Sequence, residues 1–221
     1  MNKFKNYSEA LRATFTGFGF ALIFTFVTAN AFAQSVQPDQ VTPPVVPGNL
    51  VVEAGHVPFL LGHATGTQNY VCKPVGAGFR FVLFTPEATL FKENGKQIIT
   101  HFFSPNPFEP NTDPTVFADG TIRAAWQAQD TSTVWAKVHQ PNGAATVDPN
   151  AIAWLLLDVA GTQSGPTGGD TLTVTTFVQR VNTTGGLAPS VGCTLSTDVG
   201  NTAFVPYTAD YFFYKKSGGS N

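Results

Sequence analysis

Thr133-Val134-Trp135-Ala136-Lys137-Val138-His139 decides the fold. Val134, Ala136 and Val138 alternate with Thr133, Trp135, Lys137 and His139. That period of two belongs to a β-strand with one face against a core. The same period recurs outward at residues 68–73, 79–85, 88–91, 97–103 and 121–127, and again at 154–160, 171–182 and 205–214. β-Branched and aromatic side chains dominate these runs, as strands favour. Asn94-Gly95 between two of them is a hairpin signal, because both residues tolerate positive φ. Asp119-Gly120, Gly165-Pro166 and Gly185-Gly186 punctuate the rest. Pro105, Pro107, Pro110 and Pro114 exclude a central strand over 104–114 and predict a long ordered loop. About nine or more strands joined by short turns predict an all-β domain, an antiparallel β-sandwich or a closed barrel, jelly-roll-like.

Composition agrees. The 221 residues hold 12 Lys plus Arg against 14 Asp plus Glu, and charged residues are only 12%. A net charge of −2 excludes a protein that binds nucleic acid by basic surplus. A hydrophobic share of 43% excludes wholesale disorder. Twenty-one Gly, 16 Pro and 20 Phe do not suit a helical bundle.

The N-terminus reads as an export signal over 1–33. Lys3, Lys5 and Arg12 precede an uncharged stretch rich in Phe, and Ala31-Phe32-Ala33 ends it with small residues at the cleavage positions. Cutting before Gln34 would remove the only methionine and leave no stable membrane span. The periplasm or the extracellular space is the expected location. Residues 34–49 form a proline-rich linker, disordered or laid over the domain. The all-β domain is expected over 50–214, with a flexible tail at 215–221. Cys72 and Cys193 are the only cysteines. In an oxidising compartment they favour a disulfide over free thiols or half a metal site. Such a bridge closes a loop of about 120 residues, worth roughly 4–5 kcal/mol in the chain-entropy model.

The chemistry-bearing residues are sparse. Trp135 shares the polar face of its strand with Lys137 and His139. It either stands exposed, as a platform that stacks on sugar rings, or lies beneath the proline-rich loop. Gln68, Tyr70 and Cys72 share one face, so a core-facing Cys72 would turn Gln68 and Tyr70 inward and make a polar cavity. Glu87, His101 and Asp130 are the weak catalytic candidates, a carboxylate–imidazole set for acid–base work if the fold brings them together. His56, His63, His101 and His139 show no tight metal-ligand spacing, and no metal or cofactor is read from them. Gly76-Ala77-Gly78 lacks the context of a nucleotide loop, and no Gly-x-Ser-x-Gly elbow occurs. Asn182-Thr183-Thr184 is a glycosylation sequon, meaningful only in a eukaryotic secretory route.

Several segments recur together in one order. They are Gly66-Thr67-Gln68-Asn69-Tyr70-Val71-Cys72, Pro86-Glu87-Ala88-Thr89-Leu90 and Ala153-Trp154-Leu155-Leu156-Leu157. Gln179-Arg180-Val181-Asn182-Thr183-Thr184-Gly185-Gly186, Gly192-Cys193 and Val205-Pro206-Tyr207-Thr208-Ala209-Asp210-Tyr211 complete the set. This set resembles the domain-of-unknown-function family numbered 3455, exported proteins of bacteria and fungi. The resemblance covers 50–214 and implies two cysteines in matching positions. It supplies no catalytic residue. Relatives carry a Gly-Pro-Thr-Trp-Glu-like segment where this chain has Ser104-Pro105-Asn106-Pro107-Phe108-Glu109. A dehydrogenase label on some fungal relatives has no nucleotide fingerprint to rest on here.

Two functional readings follow. The first is a non-enzymatic binding or envelope-associated β-module, with a glycan or another cell-envelope component as partner at Trp135, Lys137 and His139. The second is a small secreted hydrolase, lyase or metal-dependent enzyme around Gln68 and Tyr70. Oligomeric state is not legible.

Overall fold

The computed structural model describes residues 41–113 and 119–218. The predicted signal 1–33 with its cleavage site, and residues 34–40, lie outside the described residues, as do 114–118 and 219–221. Nine strands follow in order: β1 (His56–Val75), β2 (Gly78–Phe91), β3 (Gln97–Asn106), β4 (Thr121–Ala128), β5 (Thr133–Val138), β6 (Ala144–Ala145), β7 (Trp154–Gln163), β8 (Phe177–Gly185) and β9 (Thr202–Lys216). All pairings are antiparallel, β5 pairs with β7, and β9 pairs with β1. Eight strands therefore close into a barrel, and β6 pairs with the start of β7. Of the architectures expected, the closed barrel is the one these pairings form. The connectivity corrects the jelly-roll expectation: each barrel strand lies beside its neighbours in the chain, up and down, with no Greek-key crossover. Among the described residues no helix is long and apolar enough to cross a membrane.

Alternation sends one face of every strand inward. Leu90, Ile99, Trp126, Val134, Leu157, Val178 and Phe213 meet in the main core. β1 starts at His56, well before the predicted residue 68, because Pro58, Gly62 and Gly66 hide the strand pattern. The glycines serve packing. A Cβ on Gly66 would lie 2.0 Å from the Glu87 carbonyl oxygen, and one on Gly62 would lie 2.8 Å from Leu90 Cδ2. β2 runs unbroken through Pro86, which sequence reading takes as a break. The β2–β3 ladder ends at Ala88–His101, so Pro86 takes no place in it. The strand expected over 171–182 begins only at Phe177. Ahead of it Leu172, fully buried, joins the main core.

The two ends of the barrel differ. The β1–β2, β3–β4, β5–β7 and β8–β9 connections lie at the end called upper here, and the other turns lie at the lower end. In the upper half the β2–β3 ladder stops at Ala88–His101 and the β4–β5 ladder stops at Ala124–Ala136. The upper arm of the β3–β4 hairpin thus pairs only within itself, from Ser104–Arg123 to Asn106–Thr121. Side chains clasp it. Trp135 Nε1 donates to Ser104 Oγ at 2.7 Å, and the Phe103 amide donates to Thr85 Oγ1 at 3.1 Å.

A second apolar cluster lies on the outer face. Leu50, Leu156, Phe177, Val181, Phe212 and Tyr214 pack there with Val41 and Val46. Gln179 ties it together, donating to the Leu50 carbonyl at 2.7 Å and accepting from the Tyr214 hydroxyl at 2.9 Å. Residues 41–49 of the linker segment are thus laid over the barrel. Lys215 and Lys216, expected in the tail, end β9. Cys72 and Cys193 are bridged, with Cα atoms 5.4 Å apart, which ties the β8–β9 connection to β1 at the upper end.

Candidate functional site

The upper half of the barrel holds an open cavity of about 670 Å³. Single small ligands are typically held in spaces of about 300–1,000 Å³, and the interior of an eight-stranded barrel is a recurrent place for one. Its wall is largely apolar: Leu83, Phe103, Ile122, Ala124, Leu155 and Leu187 belong to it. Its floor is aromatic. His101 stacks on Trp126 at 4.3 Å between ring centroids, and Tyr211 meets the Trp126 ring edge-on at 5.6 Å.

Four polar groups of the wall, on β1, β3 and β8, carry its chemistry. β1 supplies Gln68 and Tyr70, as the shared face with the buried Cys72 implies. Tyr70 donates its hydroxyl to the Gly186 carbonyl at 2.5 Å. Gln68 is 2% exposed, and its amide nitrogen makes no hydrogen bond of good geometry. It lies near enough to the Tyr207 hydroxyl to lower that group's pKa, against the larger raising by burial and by Tyr211. β3 supplies His101, 4% exposed, with Nδ1 at 2.8 Å from the Ala125 carbonyl. A carbonyl only accepts, so Nδ1 carries the proton and Nε2 keeps its lone pair. Burial pushes His101 down to about 3, with the Ala125 carbonyl raising it and the Arg180 charge lowering it further, so the ring is neutral near pH 7.

β8 supplies Arg180. Its Nε and Nη2 donate to the Ala153 carbonyl at 3.1 and 2.8 Å. Among the described residues no carboxylate pairs with it, and the cavity wall holds no Asp or Glu. Sequence reading singled out neither Arg180 nor Tyr211. The signal was there for Arg180, since it shares the parity of Val178 and so puts a charge on the face of β8 that enters the core.

The catalytic candidates are not assembled. Ala88 pairs with His101 across β2 and β3, so the neighbouring Glu87 points to the opposite face of the sheet, where it is exposed. Asp130 lies in the β4–β5 turn at the lower end. It accepts from Ser132 Oγ at 2.6 Å and from the Thr171 amide and hydroxyl at 2.9 and 2.7 Å. Burial acts to raise its pKa, and these hydrogen bonds outweigh that and lower it. The other histidines are dispersed: His63 contacts Asp210 and Glu93, and His139 contacts Asp158. Among the described residues no group of three or more His, Cys, Asp and Glu could hold a metal ion.

The surface around Trp135 is closed. Trp135 is 6% exposed, and Phe108 of the proline-rich loop meets its ring edge-on at 6.1 Å. Gly161 permits this seat, because a Cβ there would lie 2.4 Å from Phe108 Cδ2. Asn106 and Glu109 anchor the loop. Asn106 donates to Glu109 at 2.9 Å and to the Ala160 carbonyl at 3.3 Å. Arg123 grips Glu109 through two bonds of 2.7 and 3.0 Å, with Lys137 Nζ at 3.4 Å. Of the residues proposed for glycan stacking, the aromatic one is covered, while Lys137 and His139 pair with carboxylates on the outer wall.

With this geometry in hand, comparison with known proteins adds one finding. A family model described as protein of unknown function (DUF3455) matches residues 53–215. The chain belongs to that family. The match runs from before β1 to Lys215 in β9 and includes all the cavity-lining positions above. No curated protein and no solved structure matches the chain.

Proposed function

We propose that this DUF3455 member is an exported binding protein that takes one small, largely apolar molecule into the upper half of its barrel. The observation that carries the reading is the cavity itself. Apolar side chains from the upper half of the barrel surround an unfilled space of about 670 Å³, whereas the lower half is packed. An open cavity of this volume with a largely apolar wall has the size and character of a small-ligand site. The disulfide suits an oxidising compartment, and hence the exported location.

The glycan-platform reading loses support because Trp135 is covered. The hydrolase or lyase reading loses support because Glu87, His101 and Asp130 occupy the outer face, the cavity floor and the lower end respectively.

The test is titration of the folded protein with N-phenyl-1-naphthylamine, a neutral apolar fluorophore. Saturable binding of one probe per chain is expected, and Ala124→Phe, which puts a ring into the cavity, should weaken it about tenfold or more. Failure of this probe and of a series of neutral aliphatic alcohols to bind saturably would overturn the reading. So would binding that Ala124→Phe leaves unchanged in a folded variant.

A further inference from the structure

Resting on the cavity reading, we infer that the ligand is an anionic amphiphile, an apolar body bearing one carboxylate, and that Arg180 receives the carboxylate inside the barrel. Three observations carry this. The first is a charge without a counter-ion. Arg180 spends two N–H donors on a neutral carbonyl, and no carboxylate among the described residues pairs with it. A half-buried guanidinium in an apolar space is costly unless it is paired, and its remaining donors form the planar fork that matches a carboxylate. Its field reaches across the space, since it acts on Tyr70, His101 and Tyr207 alike.

The second is the sign of the unsatisfied groups. The buried side-chain atoms of the cavity wall without a well-formed hydrogen bond, Gln68 Nε2 and Trp126 Nε1, are both donors. Both would be satisfied by an added acceptor, which a carboxylate brings. The third is the rim. Arg123 and Lys137 border the same space and share the single carboxylate of Glu109. With Glu109 they leave one positive charge at that border, and a site of one sign concentrates ions of the other.

Decanoate and decanol share a chain and differ in the head group, so they separate charge from apolar burial. Each displaces N-phenyl-1-naphthylamine from the wild-type protein and from Arg180→Gln. The glutamine amide can still donate to the Ala153 carbonyl. The expected result is that Arg180→Gln weakens decanoate about tenfold or more while leaving decanol and the fluorophore within about twofold. Arg180→Lys, which keeps the charge without the fork, should recover part of the loss, and it carries the test if near-ultraviolet circular dichroism shows Arg180→Gln to be unfolded. Fluorophore binding with equal decanoate affinity in wild type and folded Arg180→Gln would overturn the anion assignment and leave the cavity reading standing. Absence of fluorophore and decanol binding overturns the cavity reading itself.

Discussion

His101 lies flat on Trp126, its ring plane within 6° of the indole and its centroid 4.3 Å away. The pair divides the barrel into a packed lower half and a hollow upper half. It also places a titratable group almost wholly out of solvent, which ties stability to pH.

Burial holds folded His101 at about 3, against 6.5 for the unfolded chain. As pH falls below 6.5 the unfolded state takes up a proton that the folded state refuses. Stability is therefore complete above about 6.5 and falls until about pH 3, by at most about 1.4 kcal/mol per pH unit. His101→Gln, whose amide can still donate to the Ala125 carbonyl, should flatten the melting temperature between about pH 6.5 and 4.5. Melting curves across that range check it; a wild-type slope that survives in His101→Gln would assign the titration elsewhere.

Glu109 acts in a lower window. The hydrogen bond from Arg123 is the chief cause that holds its carboxyl near 2, against an ordinary 4.5. Its contribution is present above about pH 4.5 and is lost as pH falls towards 2. Glu109→Gln should cost about 1 kcal/mol at neutral pH and less below pH 4. It should also shift Trp135 emission to the red as Phe108 loosens. Denaturant melts at neutral and acid pH, with tryptophan emission as the signal, measure both.

Removing the disulfide tests the tie between β1 and the β8–β9 connection. Cys72→Ala with Cys193→Ala opens a link between positions 121 apart in sequence. The expected loss is about 4–5 kcal/mol if the unfolded chain is the main thing constrained. Because Leu187 and Gly186 sit in the same connection, the double variant should also bind apolar probes more weakly while its barrel remains folded by far-ultraviolet circular dichroism.

Gly66→Ala probes the closeness of β1 and β2. The added Cβ would fall 2.0 Å from the Glu87 carbonyl oxygen and 2.6 Å from the Ala88 Cβ, so backbone must move. A loss of about 3 kcal/mol is expected, at the upper end for overpacking. Gly78→Ala, where an added Cβ meets nothing within 4 Å, should cost far less. Equal losses in urea melts would contradict the packing account.

The period of two at 133–139 was enough to read β5, its inward Val134 and Ala136 and its outward Trp135, because a strand with one buried face writes that face into alternate residues. Closure was not legible in the same way. Whether β5 meets β7 and β9 meets β1 depends on twist and strand number, and neither is a local property of Trp135 or Tyr211. β1 is only half legible because Gly62 and Gly66, which allow close approach to Leu90 and Ala88, look like breaks. Gln68 and Tyr70 were legible as an inward pair through the parity of Cys72. Arg180 is legible only through its parity with Val178, because a charge in a strand reads by default as solvent-facing. Glu87, His101 and Asp130 were grouped by chemistry alone, and the register of Ala88 against His101 puts the first two on opposite sides of the sheet.

The upper arm of the β3–β4 hairpin, unladdered on both flanks and held by Trp135, Glu109 and Thr85, has a kinetic consequence. Its clasps lie on the outer wall and away from the Arg180 guanidinium. Loosening them should change how long a ligand stays more than how tightly it is held at equilibrium. Ser104→Ala or Glu109→Gln would then speed both uptake and escape, and the hairpin would set the residence time of whatever the barrel carries.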